Sequence, residues 1–308
     1  TFIHDLCFSN IKELIGINLV TQHGNEKLQL NTELAATELG KAMAKFYIAF
    51  DSMKVLCTEI TAQSTVKDIL SAIAQAKEFA ECNIRQGDKK ALNELNKNSA
   101  MVKHAIKGKV KECQDKVFIL LQLGLTEPPA DLEWNLKQQR LLVAQVAPRL
   151  CKCTVEILKE KKLCEQARIA ILLNKSFEQL MWYDGETIVQ QLEGIGTVMC
   201  NSLRKIGINS FETLLEKNNY AIEQACNRNP PFAMELKKKV EAISRFSMQV
   251  QLASMNANGD AEVVITVKRE NKGVAKHDTT HWVSILVGNV GRDLVQSLRF
   301  NACSVRTE

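Results

Sequence analysis

The hydrophobic periodicity of the chain changes once, at Ser247. Before this residue, apolar positions recur every three to four residues, as in Ile11–Val20, which is the spacing of amphipathic helices. After it, apolar and polar residues alternate, which is the spacing of β-strands. Strands are predicted at Met248–Met255, Val263–Val267 and Val283–Val287. The pattern therefore predicts a mainly α chain with a C-terminal all-β domain.

Turn signals and breaks divide this pattern into four predicted domains. In residues 1–50 the pattern predicts a helix, a two-stranded wing (with a strand at Lys27–Leu30) and a second helix, which together form the tail of a winged-helix domain. Residues 51–185 predict a helical bundle, and residues 186–246 a helix-hairpin-helix domain. Residues 247–308 predict an immunoglobulin- or fibronectin-like β-sandwich. This last segment is shorter than the usual sandwich of about 100 residues, so we expect it to be truncated.

A tight turn, Glu193–Gly196, separates two apolar segments that are predicted to be short helices. We expect Gly194 and Gly196 to adopt positive φ, because glycine has no Cβ, and Ile195 to fill the gap between the helices. The first amides of the second helix would then form a phosphate-sized anion site beside its positive dipole end. This favours Gly194, Ile195 and Gly196 as contacts to a nucleic-acid backbone. A plain helical hairpin capped by glycines is the alternative.

A long helix is predicted from Asp131 to Glu160, with a kink at Pro148. One stripe of this helix is apolar and another is polar. A polar stripe with an aromatic ring for stacking and an arginine for phosphate suits a helix that lies against single-stranded nucleic acid. An ordinary solvated helix face is the alternative. The candidate nucleic-acid-binding residues on the stripe are Trp134, Gln138, Gln145, Arg149 and Lys152.

Local signals place further elements. Helix N-caps are predicted at Ser64–Asp68 and Asn209–Glu212, and the last helix is predicted at Phe232–Phe246. Six basic residues between positions 103 and 116 are interpreted as a solvated helix face rather than a phosphate clamp. These residues are Lys103, His104, Lys107, Lys109, Lys111 and Lys116.

Composition narrows the function classes. The 308 residues are 45% hydrophobic and 24% charged, as in ordinary globular proteins, and the net charge of +5 permits a polyanionic partner without requiring one. Ten scattered cysteines without a C-x-x-C pair favour a reducing, intracellular setting. His277 and His281 have no further ligand in view, so we expect no metal site. The chain has neither a phosphate-loop motif nor an apolar run long enough to cross a membrane.

Four strings occur in an order that resembles the C-terminal, Sec-sixty-three-type module of the Ski-like superfamily-two helicases. Thr37–Gly40, followed by Phe46–Ile48, is similar to the junction between winged helix and bundle. Val146–Leu150 is similar to a bundle helix, Leu192–Gly196 to the hairpin, and His281-Trp282 to the sandwich. Within the family, the run from residue 173 to residue 196 most resembles the meiotic DNA helicases that promote crossovers.

The resemblance implies the non-catalytic part of a nuclear, ATP-dependent 3′–5′ DNA helicase that acts in meiotic recombination and crossover formation. The helix that carries Arg149 would contact the translocating strand. No cofactor is implied in this chain, whereas ATP and Mg would bind the full-length protein. The implied partners are DNA (single strand or branched duplex), upstream motor domains and proteins that dock on the β-sandwich, with no membrane. A protein-interaction scaffold, as in the spliceosomal RNA helicase or the translocation protein of this family, is the alternative.

Two features depart from the family pattern. The wing contains few basic residues, which weakens a role in strand separation. The net charge is modest, so we expect the chain to bind DNA weakly and with strong salt dependence.

Overall fold

The computed structural model describes residues 2–23, 28–29, 31–255, 261–271, 282–289, 291 and 293–302. Helices fill most of the described chain before residue 244, and strands fill most of it afterwards. The predicted mainly α chain with a C-terminal β part is therefore confirmed. The chain forms two compact units, Thr1–Tyr183 with Leu286–Gln296 and Asp184–Ile285 with Ser297–Glu308. The finer domain types stay predictions.

Twelve α-helices lie in the described residues. Those of the first unit are α1 (Phe2–Gly16), α2 (Glu38–Lys45), α3 (Phe50–Glu59), α4 (Val66–Ala74), α5 (Asp88–Lys97), α6 (Cys113–Leu123), α7 (Trp134–Glu160) and α8 (Cys164–Gln179). Those of the second unit are α9 (Thr197–Lys205), α10 (Phe211–Glu216), α11 (Asn219–Cys226) and α12 (Phe232–Glu241). Short 3₁₀ helices occur at Lys77–Phe79 and Ile188–Gln191.

The described strands form three separate two-stranded sheets. They are β1 (Val20–Gln22) with β2 (Leu34–Ala36), β3 (Phe246–Met255) with β4 (Ala261–Arg269), and β5 (Trp282–Gly288) with β6 (Leu294–Asn301). Strand β6 has no counterpart in the sequence prediction. His277 and His281 lie outside the described residues.

The first fifty residues have the predicted order of helix, two strands and helix, but the second strand is displaced. Leu28 and Gln29 are not in a strand, and β2 instead runs directly into Thr37. The Thr37 hydroxyl donates to the Asn18 carbonyl oxygen at 2.7 Å and accepts from the Gly40 N–H at 3.1 Å, which caps α2. A Cβ at Gly40 would overlap the Leu19 carbonyl oxygen. This close approach explains the Thr-Glu-Leu-Gly string.

Helix α7 is central to the first unit. It packs against α2, α3, α4, α6 and α8. Its predicted apolar stripe is confirmed, since Leu136, Val143, Ala147 and Leu150 are all buried. Burying each of the larger of these side chains contributes about 1.5–3 kcal/mol to folding. The helix starts at Trp134, three positions after the predicted start at Asp131.

Both predicted N-caps are confirmed. Thr65 accepts from the Asp68 N–H and the Asp68 carboxylate accepts from the Thr65 N–H at 2.8 Å, which forms a capping box at α4. These hydrogen bonds from Thr65 hold the pKa of the Asp68 carboxyl below its ordinary value. Ser210 caps α10 in the same way, with Thr213 as its partner.

The last helix is shorter than predicted. Helix α12 ends at Glu241, and strand β3 begins at Phe246, so the expected helix to Phe246 is wrong at its C-terminal end. The Asn271 side-chain amide donates to the carbonyl oxygens of Glu241 at 2.8 Å and Ile243 at 2.7 Å. A residue distant in sequence thus satisfies the carbonyls that end the helix.

The interpretation of the basic residues 103–116 as a helix face is wrong. Residues 98–112 contain no helix, and Lys116, which follows them in α6, is fully buried. The Lys116 ammonium forms an ion pair with Asp88, the first residue of α5, and donates to the Asn83 carbonyl oxygen at 2.8 Å. Asp88 also accepts from the Arg85 N–H at 3.0 Å.

Removing one member of this buried pair should destabilise the first unit strongly. Lys116→Ala leaves the Asp88 carboxylate buried without its counter-ion, which we expect to cost about 3–5 kcal/mol. Urea unfolding followed by circular dichroism measures the loss. The exposed Lys89→Ala is the control and should lie within about 0.5 kcal/mol of the unchanged chain. Equal midpoints for the two variants would contradict the assigned role of Lys116.

Candidate nucleic-acid interface

The polar stripe of α7 is where the sequence predicts it. Trp134, Gln138, Gln145 and Arg149 are exposed, and Lys152 is half-buried. Their positions follow intervals of three, four or seven residues, so all five share one side of the helix. At 1.5 Å per residue, Trp134 and Arg149 lie about 22 Å apart along the axis. The stripe therefore presents an exposed indole, with 74% of its surface accessible, and an exposed guanidinium on one face of the helix.

The two cations of the stripe, Arg149 and Lys152, differ in whether a carboxylate pairs with them. The Lys152 ammonium forms an ion pair with Glu178 of α8 at 2.8 Å, which offsets its charge. Among the described residues, the Arg149 side chain has neither an ion pair nor a hydrogen bond. Because a guanidinium can bind a phosphate through two parallel hydrogen bonds, Arg149 is the cation of this stripe best placed to contact an anion.

Two leucines belong to the same exposed face. Leu141 is 38% exposed and Leu142 is 59% exposed, and Leu142 lies one turn from both Gln138 and Gln145. Their exposure was not predicted, because leucines on an amphipathic helix are usually core residues. The spacing of Leu142 from the two glutamines was the available signal. The stripe thus offers apolar as well as polar contacts.

A second arginine of α7 has a structural role. One terminal nitrogen of the Arg140 guanidinium donates to the carbonyl oxygens of Leu123 at 3.1 Å and Thr126 at 3.0 Å. It thereby satisfies carbonyls at the end of α6. Burial lowers the pKa of this guanidinium. Arg140 therefore fixes α7 to α6 rather than facing a ligand.

The glycine turn of the second unit differs in part from its prediction. The segment before it is a single 3₁₀ turn, Ile188–Gln191, rather than a longer helix. Gly194 has a φ of +92°, as expected, but Gly196 has a φ of −84° and is the N-cap of α9. Ile195 is buried in the apolar core of this unit, as expected. The predicted contacts of Gly194, Ile195 and Gly196 to a phosphate stay a prediction.

A carboxylate and an ammonium group both lie beside this turn. Gly196 is the N-cap of α9 and has no side chain, so it makes no capping hydrogen bond to the first amides of this helix. Glu193, whose side chain is 94% exposed, stands beside the turn. The Lys239 ammonium donates to the Glu193 carbonyl oxygen at 2.8 Å and lies 3.6 Å from its carboxylate. An anion at the turn would therefore meet a carboxylate whose charge Lys239 offsets.

The described residues contain no group of three or more metal-ligating side chains. The nine cysteines among them are free thiols. Burial raises the pKa of the Cys153 thiol to about 12, and the pKa of Cys151 is raised by burial as well. These two thiols are therefore packing groups rather than nucleophiles. Every described helix is too short or too polar to cross a bilayer.

Comparison with known proteins provides a family match. Residues 36–304 match the Sec63 Brl domain. This match covers all four strings that carry the family resemblance, from Thr37 to Trp282.

Individual relatives are helicases by name. The probable ATP-dependent DNA helicase HFM1 of Xenopus tropicalis is 29% identical over 295 residues, which are 93% of this chain and 21% of that protein. The human protein of the same name is 27% identical over 304 residues, or 95% of this chain and 20% of that protein. The ATP-dependent DNA helicase MER3 of Saccharomyces cerevisiae is 27% identical over 266 residues, or 82% of this chain and 22% of that protein. The chain spans about a fifth of each.

The two glycines of the turn should respond differently to substitution. Gly194→Ala places a Cβ on a backbone of φ +92°, which we expect to cost about 1–2 kcal/mol, although no atom lies within 4 Å of that Cβ. Gly196→Ser needs no strained φ and adds a capping hydroxyl, so it should be neutral or stabilise by a few tenths of a kcal/mol. Thermal unfolding compares the two. A larger loss for Gly196→Ser would refute the assigned backbone.

Proposed function

This chain belongs to the Sec63 Brl domain family, and on that premise we propose that it is the non-catalytic, C-terminal part of an ATP-dependent 3′–5′ DNA helicase. We infer that this helicase acts in meiotic recombination and crossover formation. The proposal rests on the relatives whose names describe ATP-dependent DNA helicases and which align with 82–95% of the chain. In such a protein the chain would contact the translocating strand.

The observation that carries the proposed DNA contact is the Arg149 guanidinium, which lies on the exposed face of α7 and has no ion-pair or hydrogen-bond partner in the part of the chain that the structure describes. The opposite face of this helix is buried in the core of the first unit, which holds the stripe rigid. Trp134, Gln138 and Gln145 supply a ring for base stacking and two amides for hydrogen bonds along the same line. Lys152 would act on a phosphate only after Glu178 releases it.

The remaining partners follow from the same proposal. The motor domains of the full-length protein would bind ATP and Mg and would drive translocation, while this chain holds the strand. DNA would be engaged as a single strand or a branched duplex. A helicase of meiotic recombination would work in the nucleus.

One observation favours protein docking as a second function. Strands β3 and β4 pair Met248 with Val267 and Val250 with Ile265. This register places their apolar side chains on one face. Met248 and Val250 are 59% and 60% exposed. A protein-interaction scaffold, as an alternative to the DNA-contacting role, would use this face and would show no salt-dependent affinity for nucleic acid.

Arg149→Ala should weaken binding to a fluorescein-labelled single-stranded oligonucleotide by about tenfold, which is about 1.4 kcal/mol. Loss of one phosphate contact should also reduce the slope of log K against log salt by about 0.7. Fluorescence anisotropy over a salt series measures both. The exposed Arg85→Ala removes the same charge elsewhere on the first unit and is the matched control. Equal affinities for the two variants would exclude Arg149 from the contact.

Trp134→Ala should weaken binding without changing the salt slope. The indole contributes by stacking, which is about 1–3 kcal/mol per base and involves no counter-ion release. The same anisotropy series separates this effect from that of Arg149. A changed slope with Trp134→Ala would contradict a stacking role, and unchanged affinity would remove Trp134 from the interface.

A further inference from the structure

The connection between α5 and α6, residues 98–112 (the basic loop), is irregular but firmly held. Buried Gln122 clamps its middle: the side chain accepts from the His104 N–H at 2.8 Å and donates to the His104 carbonyl oxygen at 3.0 Å. Asn96 clamps Ile106 in the same two-sided way, at 2.7 and 3.0 Å. Asn93 accepts from the Val110 N–H at 3.0 Å. Three side-chain amides thus replace the backbone partners that a helix or strand would provide.

Apolar anchors hold the same loop against the core. Val102 and Val110 are buried, and Ile106 packs on the main core cluster. The anchors are four residues apart, which is why the sequence reads as a helix face. A lysine follows each anchor, at positions 103, 107 and 111. Fixing the anchors therefore fixes where the lysines emerge.

Three lysines of the basic loop are exposed and unpaired within the described chain. Lys107, Lys109 and Lys111 have neither an ion pair nor a hydrogen bond from their ammonium groups to any described residue. They lie on a five-residue stretch that turns at Gly108, whose φ is +92°. Lys109 and Lys111 flank buried Val110, so both point away from the core.

The acidic groups nearest in sequence, Asp115 and Glu112, accept hydrogen bonds at the C-terminal end of the loop. The Asp115 carboxylate accepts from the N–H groups of Lys111 and Glu112, at 2.8 and 3.0 Å. The Glu112 carboxylate accepts from the Gln114 amide at 2.8 Å. A further cation borders the loop, because the Lys67 ammonium donates to the Ala105 carbonyl oxygen at 2.6 Å. Lys67, Lys107, Lys109 and Lys111 outnumber the carboxylates of Asp115 and Glu112, so the charged groups at the loop have a net positive charge.

We propose that the basic loop is a second nucleic-acid contact, in which Lys107, Lys109 and Lys111 bind successive phosphates of a DNA or RNA strand. The large apolar side chains of the loop are turned into the core, so the loop lacks the apolar centre of a protein interface. Lysines bind phosphates as point charges and need no base geometry. The contact is therefore independent of base sequence.

This inference shares its ligand class with the function proposed above but uses a different site. The basic loop contains no residue of the α7 stripe. The two proposed contacts can therefore fail separately. If Arg149→Ala weakened binding and the loop variant did not, the α7 stripe would be retained as a contact and the basic loop would be excluded. If only the loop variant weakened binding, the loop would be retained and the stripe would be excluded.

The test is oligonucleotide binding by a triple variant, Lys107→Ala, Lys109→Ala and Lys111→Ala. With a labelled single-stranded oligonucleotide at low salt, we expect affinity to fall at least tenfold. The slope of log K against log salt should fall by about 2, since each lost phosphate contact on a single strand contributes about 0.7. Circular dichroism should be unchanged, because all three side chains are exposed.

The matched control removes three exposed lysines from the neighbouring helix α5, as Lys89→Ala, Lys90→Ala and Lys97→Ala. This control has the same net charge as the loop variant, and we expect its affinity for the oligonucleotide to stay within about twofold of that of the unchanged chain. Replacing the three loop lysines with arginine should retain binding, because the positive charge is retained. An equal loss in both alanine triples, or no loss in the loop variant, would overturn the proposal.

Competition identifies the class of polyanion. Unlabelled single-stranded oligonucleotide should displace the labelled strand at lower concentration than poly-L-glutamate of equal charge. Equal displacement would assign the loop to acidic polypeptides and would overturn the proposal for nucleic acid.

Discussion

The first unit depends on the burial of one side of helix α7. Over 27 residues, this helix contributes an apolar stripe against which α2, α3, α4, α6 and α8 all pack. The interior is close-packed, so the buried stripe fixes the rotation of the helix about its axis. The opposite stripe, with Trp134 and Arg149, is thereby held toward solvent. Burial of the apolar stripe therefore both stabilises the first unit and orients the proposed interface.

Polar side chains form hydrogen bonds with backbone groups that have no partner within a helix or strand. Gln122 and Asn96 form hydrogen bonds with backbone groups of the irregular loop, at residues 98–112. Arg140 donates to backbone carbonyls at the end of α6, and Asn271 donates to backbone carbonyls at the end of α12. Each takes the place of a backbone partner that secondary structure does not supply, because buried backbone groups without partners are costly. The chain can therefore build ordered loops with few glycines and prolines. One such loop carries the exposed lysines proposed as a second contact.

Much of the α-helical part is predictable from local signals. The apolar period located α7 within three residues at its start, and the N-caps of Thr65 and Ser210 act through atoms only three residues away. The candidate residues of α7 share one exposed face because helix geometry alone places them there. Leu142 escaped notice because hydrophobicity alone does not tell a core leucine from an exposed one.

The sequence by itself determined the helix and strand periods, the caps, and which residues share a side of α7, because these depend on neighbours within about one or two turns. Tertiary structure alone decided the irregular course of residues 98–112, the burial of Lys116 beside Asp88, and the early end of α12. In each case the partner atom is distant in sequence, and the polar group adopts the conformation in which that partner satisfies it. It also decided which cation of α7 is free, since Glu178 pairs with Lys152 and leaves Arg149 unpaired among the described residues.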